Sequence, residues 1–265
     1  MPKVNVHNLD LFWRESGEGP PIVLLMGLET DHRGWARLVP QLKSSFRCIS
    51  TDNRDVGQSG LATAPYSIED MADDTLALLD HLELTSVNLI GQSMGGAIAQ
   101  VIAHQHPQRV SKLVLISSFC VLDLRYQAAL AALKHVRRTM SLRDYYGLVF
   151  PWMYTREEYE RPGFIDDIMS RAATNSYSQP FEAYCRQVAA ACSFNSSGWA
   201  NQIGVPTLVV SGNQDLITPP ENAVRLHSLI SGSQLLLIDN AGHGLALTAA
   251  VDEAAVAINR FLGQT

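Results

Sequence analysis

The sequence has little cysteine, no excess of basic residues and no long hydrophobic run. Its 265 residues include four cysteines, and no Cys/His spacing of the zinc-binding kind occurs. Lys and Arg number 20 against 26 Asp and Glu, giving a net charge of -6 that disfavours nucleic acid and anionic membranes as partners. No apolar segment approaches the roughly 20 residues of a membrane span. We therefore expect a protein that binds neither nucleic acid nor membrane and uses no metal.

The N-terminus and the cysteines both bear on the compartment. Residues 1–6 enter strand-like alternation directly, without a charged region followed by an apolar stretch, so we expect no signal peptide. The cysteines are scattered, at Cys48, Cys120, Cys185 and Cys192, and we expect each to be a buried free thiol. These features predict a cytoplasmic protein.

Strand and helix patterns alternate along the first 118 residues. An unbroken apolar run at 22–26 is typical of a central strand buried on both faces, further buried strands are predicted at 87–90 and 110–117, and a helix is predicted over 35–42. The strand pattern resumes at 206–212 and 234–238. Such alternation predicts an α/β fold with a mostly parallel sheet and helices on both faces.

Residues 119–203 interrupt this alternation with helical patterns only. We predict helices at 127–140, 156–160, 165–173 and 181–191. An all-helical insert between two sheet strands is typical of a cap over the carboxyl ends of the strands, where open α/β sheets bind ligands. The predicted division is a core of residues 1–118 and 204–265 and a cap of 119–203. A second structural domain with no part in the site is the alternative, and the aromatic stretch Phe150–Tyr154 faces either the pocket or the cap's own core.

The most informative motif is Gly91-Gln92-Ser93-Met94-Gly95. It follows a predicted strand and precedes a small-residue helix, which is the context of a nucleophile elbow. A serine at the tip of so tight a turn has a strained backbone, and Gly91 and Gly95 avoid collisions across it. The turn also directs the first amides of the helix at the reacting carbon. Ser93 is therefore the predicted nucleophile.

A serine nucleophile needs a base, and the base needs an orienting acid. In the α/β-hydrolases, whose nucleophile elbow this motif resembles, the chain order is serine, then an acid, then histidine. Asp215 and His243 each come directly after a predicted strand, at the same sheet edge as Ser93, and we predict them as acid and base. Asp123 and Asp239 remain as competing acids.

Two backbone amides are expected to form the oxyanion hole. One belongs to Met94, and the other lies in the loop after the strand at 22–26, which indicates Leu28. His32 in the same loop is a weaker candidate for lining the pocket.

Five motifs in order resemble the α/β-hydrolase superfamily: the loop at Gly27, residues 52–59, the elbow, residues 212–220 and residues 240–243. The resemblance spans residues 4–262 and implies a mostly parallel eight-stranded sheet with an inserted helical cap. Most of that family has His-Gly where this chain has Met26-Gly27. The stretch from Met26 to His32, with Trp35 downstream, is similar to 3-oxoadipate enol-lactonases and to esterases acting on polyketide methyl esters.

The resemblance implies a serine hydrolase that cleaves a small or medium carboxylic ester or lactone with apolar bulk, without a cofactor. Carbon–carbon bond hydrolysis, perhydrolysis and acyl transfer use the same triad and stay open. A non-enzymatic small-molecule receptor of the same fold is also an alternative, because fold does not fix function. Homo-oligomerisation stays open as well.

Overall fold

The structure is a computed structural model that describes residues 2–264. Eight strands lie within this range. They are β1 (Lys3–Val6), β2 (Leu9–Ser16), β3 (Pro21–Leu25), β4 (Arg47–Thr51), β5 (Val87–Gln92), β6 (Val110–Ile116), β7 (Thr207–Gly212) and β8 (Gln234–Ile238). They form one sheet in the order β1-β2-β4-β3-β5-β6-β7-β8. The first two pairings are antiparallel and all the others are parallel, which confirms the predicted mostly parallel eight-stranded sheet.

Helices cover both faces of the sheet and fill the long connection after β6. They are α1 (Val39–Leu42), α2 (Ile68–His81), α3 (Met94–Gln105), α4 (Leu124–Thr139), α5 (Leu142–Met153), α6 (Arg156–Glu160), α7 (Phe164–Ala173), α8 (Phe181–Ser193), α9 (Pro220–Leu229) and α10 (Val251–Gly263). None of the helices within residues 2–264 is long and apolar enough to span a membrane.

The hydrophobic core lies on the two faces of the sheet. Alternate side chains of each central strand point to opposite faces, and the side chains of β3, β5 and the second half of β6 are buried on both sides. One face packs against α2, α3 and α9, and the other against α1 and α10. This packing leaves the carboxyl ends of the parallel strands as the edge on which side chains can meet.

The helix predicted at 35–42 is wrong in its bounds. The chain forms a 3-10 turn at His32–Trp35, and the α-helix begins only at Val39. Pro40 lies in the first turn of α1, where its missing N–H is tolerated, whereas it would break the interior of a longer helix. Buried Trp35 packs with the core beneath the sheet.

The connection between β6 and β7 contains α4 to α8. An isolated antiparallel β-bridge pairs Val121, before α4, with Asn195, after α8. Four of these helices match predicted ones, while α5 was not predicted. Phe150 of α5 and Tyr154, the residue after its end, are buried and pack in a chain of aromatic rings that runs from Tyr146 to Phe164. These two side chains therefore belong to the core of the insert.

All four cysteines are free thiols, as predicted, but only two of them are buried. Cys48 and Cys120 lie in the core, whereas Cys185 and Cys192 on α8 are partly exposed. The predicted core segments also include residues 1 and 265, which lie outside the described residues.

Candidate active site

Ser93 occupies a tight turn between β5 and α3. Its φ of 54° and ψ of -120° are rare for a residue with a side chain. Glycines make the turn possible, because a Cβ on Gly91 would lie 2.3 Å from the carbonyl oxygen of Gly95, and one on Gly95 would lie 2.0 Å from a β3 carbonyl oxygen. The Ser93 amide donates to Ile116, and the Ser118 hydroxyl donates to the Ser93 carbonyl oxygen at 3.0 Å. These contacts hold Ser93 at the carboxyl edge of the sheet.

His243 and Asp215 lie beside Ser93, after β8 and β7. The Nε2 atom of His243 is 3.1 Å from Oγ of Ser93, and its Nδ1 atom is 2.9 and 3.1 Å from the two carboxylate oxygens of Asp215. Both side chains are buried. Because an ionised carboxylate only accepts hydrogen bonds, Nδ1 carries the proton and Nε2 is free to accept from the Ser93 hydroxyl.

Asp215 is held by the turn that follows it. The amides of Ile217 and Thr218 donate to its Oδ1 atom at 2.9 and 2.8 Å. The Thr218 hydroxyl lies 2.9 Å from both Asp215 Oδ2 and the carbonyl oxygen of Ser117, and it can donate to one of them at a time. The carboxylate orientation is therefore fixed before any substrate arrives.

The turns that carry Asp215 and His243 are fastened to each other. The side chain of Asn213 accepts from the Asn240 amide at 3.0 Å, and the Gln214 side chain donates to that of Asn240 at 3.0 Å. Gln92, the residue before Ser93, donates from Nε2 to the main-chain oxygen of His243 at 2.9 Å. Sequence reasoning missed Gln92 and Thr218 because both act through contacts between distant parts of the chain.

The loop after β3 passes directly beside Ser93. A Cβ on Gly27 would lie 3.0 Å from Cβ of Ser93 and 3.5 Å from its Oγ. Among residues 2–264, no acceptor pairs with the amide of Leu28 or of Met94. The two predicted oxyanion donors therefore belong to the two segments that flank the Ser93 hydroxyl.

The competing acids have other partners. Asp123 caps α4 by accepting from the amide of Arg125 at 2.7 Å. Asp239 accepts from the side chain of Asn213 at 2.8 Å. Neither carboxylate is hydrogen-bonded to His243 within residues 2–264, so the geometry favours Asp215.

Asp31, His32 and Asp52 form a compact group whose polar atoms lie within 4.8 Å of one another, as metal ligands do. However, Asp52 Oδ1 accepts from both the amide and Nδ1 of His32 at 2.7 Å, and its Oδ2 accepts from Gln58. The carboxylate of Asp31 accepts from Arg33. The carboxylate oxygens of Asp31 and Asp52 therefore already accept hydrogen bonds from N–H groups. The group holds the loop in place by hydrogen bonds, and the His32 imidazole points to Asp52.

Glu29, which follows Leu28, is a further residue that sequence reasoning missed. Its carboxylate accepts from the hydroxyl of Tyr145 and contacts the guanidinium of Arg137 at 2.5 Å. The pKa of Glu29 is raised above its ordinary value, because the effect of burial outweighs the lowering by the Arg137 charge and by the hydrogen bond from Tyr145. Both partners lie in the helical insert, so the loop beside Ser93 is joined to the insert by buried polar contacts.

Solved structures and curated proteins resemble this chain over most of its length. An enol-lactonase from Burkholderia xenovorans LB400 superposes with a TM-score of 0.90 at 26% identity, over 99% of this chain and 100% of that one. A putative carbamate hydrolase, RutD, of Agrobacterium fabrum is 26% identical over 246 residues, covering 91% of this chain and 92% of the relative. A poly(3-hydroxyalkanoate) depolymerase of Ectopseudomonas oleovorans is 29% identical over 92% of this chain and 84% of its own length.

The family comparison covers most of the chain. Residues 20–250 match the model of the alpha/beta hydrolase fold family, a span that contains the Ser93 turn, the helical insert and the turns carrying Asp215 and His243. The predicted resemblance to this superfamily and to enol-lactonases is thereby confirmed. The chain belongs to the alpha/beta hydrolase fold family and is a hydrolase.

Proposed function

We propose that the protein is a serine hydrolase that cleaves a carboxylic ester or lactone through Ser93, His243 and Asp215. The observation that carries the proposal is the unbroken line of contacts from Ser93 Oγ through the His243 imidazole to the Asp215 carboxylate. Each distance is within reach of a hydrogen bond, and the order of the three groups suits proton transfer from the serine.

Acylation begins when the Ser93 hydroxyl attacks the substrate carbonyl carbon and its proton passes to Nε2 of His243. The imidazole becomes cationic, and the adjacent Asp215 carboxylate stabilises that charge and keeps the ring in place. Collapse of the tetrahedral intermediate breaks the ester bond, and His243 returns the proton to the leaving oxygen. With a lactone the leaving alcohol stays attached to the acyl chain.

The oxyanion of the tetrahedral intermediate is stabilised by the amides of Leu28 and Met94. Both amides lack an acceptor within the described part of the chain, and they flank Ser93 on two sides. The Met94 amide also opens α3, where the positive end of the helix dipole favours a negative charge. Loss of one such donor in serine hydrolases costs about 10²–10³ in rate.

Deacylation repeats the sequence with water. His243 removes a proton from the attacking water, the acyl-enzyme bond breaks, and Ser93 recovers its proton from the imidazolium. The product is a free carboxylic acid. No cofactor takes part in this scheme.

The helical insert, residues 119–203, acts in this proposal as the cap of the site and shapes the substrate pocket. It joins the loop beside Ser93 through Glu29 and the His243 turn through Gly244, whose amide donates to Met153 at 2.9 Å. It is rich in Leu, Ala, Met and aromatic residues, which favours a substrate with apolar bulk. The enol-lactonase and the polyester depolymerase among the relatives support an ester or lactone.

The proposal is tested by turnover of p-nitrophenyl acetate, butyrate and octanoate and of a panel of lactones. We expect multiple turnovers with the parent and a loss of more than about 10³-fold in Ser93→Ala. Ser44→Ala, which changes an exposed serine, is the matched control and retains the parent rate. Equal turnover by parent and Ser93→Ala would refute the proposal.

Other outcomes distinguish the alternatives. Turnover of a vinylogous 1,5-diketone in preference to esters would indicate carbon–carbon bond hydrolysis, and product esters formed in added alcohol would indicate acyl transfer. Perhydrolysis would appear as peracid formation in the presence of hydrogen peroxide. Absence of all turnover in folded protein would favour a small-molecule receptor.

A further inference from the structure

Three groups of the helical insert converge on Glu29. The hydroxyl of Tyr145 donates to its Oε2 atom, and the Arg137 guanidinium lies 2.5 Å from its Oε1 atom. The side-chain oxygen of Gln187 accepts from the main-chain amide of Glu29 at 3.1 Å. Both the backbone and the side chain of this one loop residue are therefore fixed by helices α4, α5 and α8.

The Arg137 side chain is itself held in place by its neighbours. Its side chain is 2% exposed and lies between the rings of Tyr145 and Tyr184, with its guanidinium carbon 4.8 and 4.7 Å from the ring centres. Its Nη2 atom donates to the carbonyl oxygen of Gln179 at 2.7 Å. Stacking and the hydrogen bond to Gln179 thus hold the guanidinium in one position against Glu29.

Gln187 fixes the same loop from a second direction. It is fully buried, and while its oxygen accepts from Glu29, its Nε2 atom donates to the carbonyl oxygen of Arg54 at 3.2 Å. The Gln179 side chain also donates to the Gln187 oxygen at 3.0 Å. The position of the Glu29 amide is therefore tied to the core as well as to the insert.

The Glu29 backbone needs such support. Its φ is +62°, a left-handed conformation that is uncommon for a residue with a side chain. The hydrogen bonds within the loop itself are long, with Thr30 donating to Gly27 at 3.4 Å and to Leu28 at 3.2 Å. Contacts from outside the loop, at Glu29 and at the Met26 carbonyl oxygen, which accepts from Asn53, therefore hold the segment that carries the Leu28 amide.

We propose that Glu29 is a positioning residue of the oxyanion hole, through which the helical insert sets the orientation of the Leu28 amide. This inference rests on the proposed function of Ser93. Glu29 does not act on the substrate itself, because one carboxylate oxygen accepts from the Tyr145 hydroxyl and the other lies against the buried Arg137 guanidinium, although that second contact lacks hydrogen-bond geometry. Its effect reaches the reaction through the Gly27–Leu28 peptide, which carries the Leu28 N–H and lies one residue before Glu29.

The test uses Glu29→Gln, Tyr145→Phe and Arg137→Leu in the full-length chain. We measure kcat and KM for p-nitrophenyl butyrate and the inhibition constant of butylboronic acid, whose serine adduct places an oxygen in the oxyanion hole. Glu29→Gln is expected to lower kcat about ten- to a hundredfold, as small misplacements of catalytic groups do, with KM changed less than about threefold. Butylboronic acid binding should weaken by a similar factor in each variant.

Matched controls separate positioning from a general loss of structure. Glu157→Gln and Arg138→Leu make the same chemical changes at exposed positions of the insert, and both should retain the parent kinetics. Arg137→Lys keeps the charge beside Glu29 and should recover most of the kcat lost in Arg137→Leu. Active-site titration with a fluorophosphonate gives kcat per folded site.

Two results would overturn the inference. One is a parent-like kcat and boronate inhibition constant in Glu29→Gln or Tyr145→Phe. The other is a loss confined to thermal stability, with kcat per titrated site unchanged. Tyr145→Phe removes a single hydroxyl and decides the question if Glu29→Gln does not fold. Ser93 is first shown to be acylated in the parent, so a negative result in these variants concerns Glu29 and not the proposed function.

Discussion

Gln92 donates a hydrogen bond of 2.9 Å from its side chain to the main-chain oxygen of His243. The residue before Ser93 therefore holds the loop that carries the imidazole. We expect Gln92→Met, which keeps the length of the side chain, to lower kcat about tenfold with little change in KM, because the base loses its alignment with Ser93. Steady-state kinetics with a p-nitrophenyl ester measures this effect. Gln105→Met, at an exposed position of α3, is the control, and equal kinetics in the two variants would contradict the assignment.

Replacement of Asp215 should be far more damaging. In Asp215→Asn the side chain no longer stabilises the charged imidazole or fixes its tautomer, so we expect kcat to fall on the order of 10⁴-fold. Asp123→Asn is the matched control, because the contacts of Asp123 are the cap of α4 and an exposed ion pair with Arg125 at 3.8 Å, and asparagine also caps helices. An unchanged rate in Asp215→Asn together with a loss in Asp123→Asn would show that the acid was misassigned.

Two glycine-to-alanine changes should have opposite effects on stability. Gly147 lies inside α5, and a Cβ there meets no atom within 4 Å, so Gly147→Ala should raise the free energy of unfolding by about 0.5–1 kcal/mol. In Gly91→Ala the new Cβ would lie 2.3 Å from the Gly95 carbonyl oxygen. We expect this variant to lose at least about 1–3 kcal/mol and to lose ester turnover. Urea unfolding measures both, and a stabilised, active Gly91→Ala would be inconsistent with the turn geometry.

The ion pair of Asp31 with Arg33 predicts a pH-dependent stability. Burial raises the pKa of Asp31, but the Arg33 hydrogen bonds and charge together outweigh it and hold the pKa below its ordinary value of 3.8. A carboxyl whose pKa is lowered by folding stabilises the protein above its unfolded pKa, and this contribution disappears as the pH falls through the folded pKa. Asp31→Asn should therefore be less stable than the parent at pH 7, and the difference should shrink below about pH 4.

Urea unfolding from pH 7 to pH 3 measures the difference between parent and Asp31→Asn. Asp73→Asn, an exposed carboxylate on α2, is the control and should show little difference at any pH. A constant gap between parent and Asp31→Asn across this range would contradict the role of the ion pair.

The sheet and the positions of Ser93, Asp215 and His243 could be predicted from the sequence because their signals are local. Ser93 directly follows β5, Asp215 and His243 lie in the turns that follow β7 and β8, and parallel strands place their carboxyl ends at one edge. The spacing of the glycines around Ser93 is enough to indicate a turn that has no room for larger side chains. A local pattern thus implied a shared location, even though 150 residues separate Ser93 from His243.

The contacts that fix the site could not be predicted in the same way. The pairing of Glu29 with Tyr145 joins residues 116 positions apart, and nothing in either segment indicates its partner. The helix α5 was missed because Pro151 and a run of aromatics near its end obscure its periodicity, whereas Ser141 caps its start in the structure. Hydrogen bonds between distant segments depend on the packing of the insert, which the sequence pattern does not encode.

Intact-protein mass spectrometry after treatment with a fluorophosphonate tests the central claim most directly, with peptide mapping and p-nitrophenyl ester turnover on the same sample. We predict one adduct per chain, located on Ser93, in protein that turns over the ester many times, and neither adduct nor turnover in Ser93→Ala. Folded parent protein that remains unlabelled and inactive, or an adduct on another residue with activity retained in Ser93→Ala, would contradict the account.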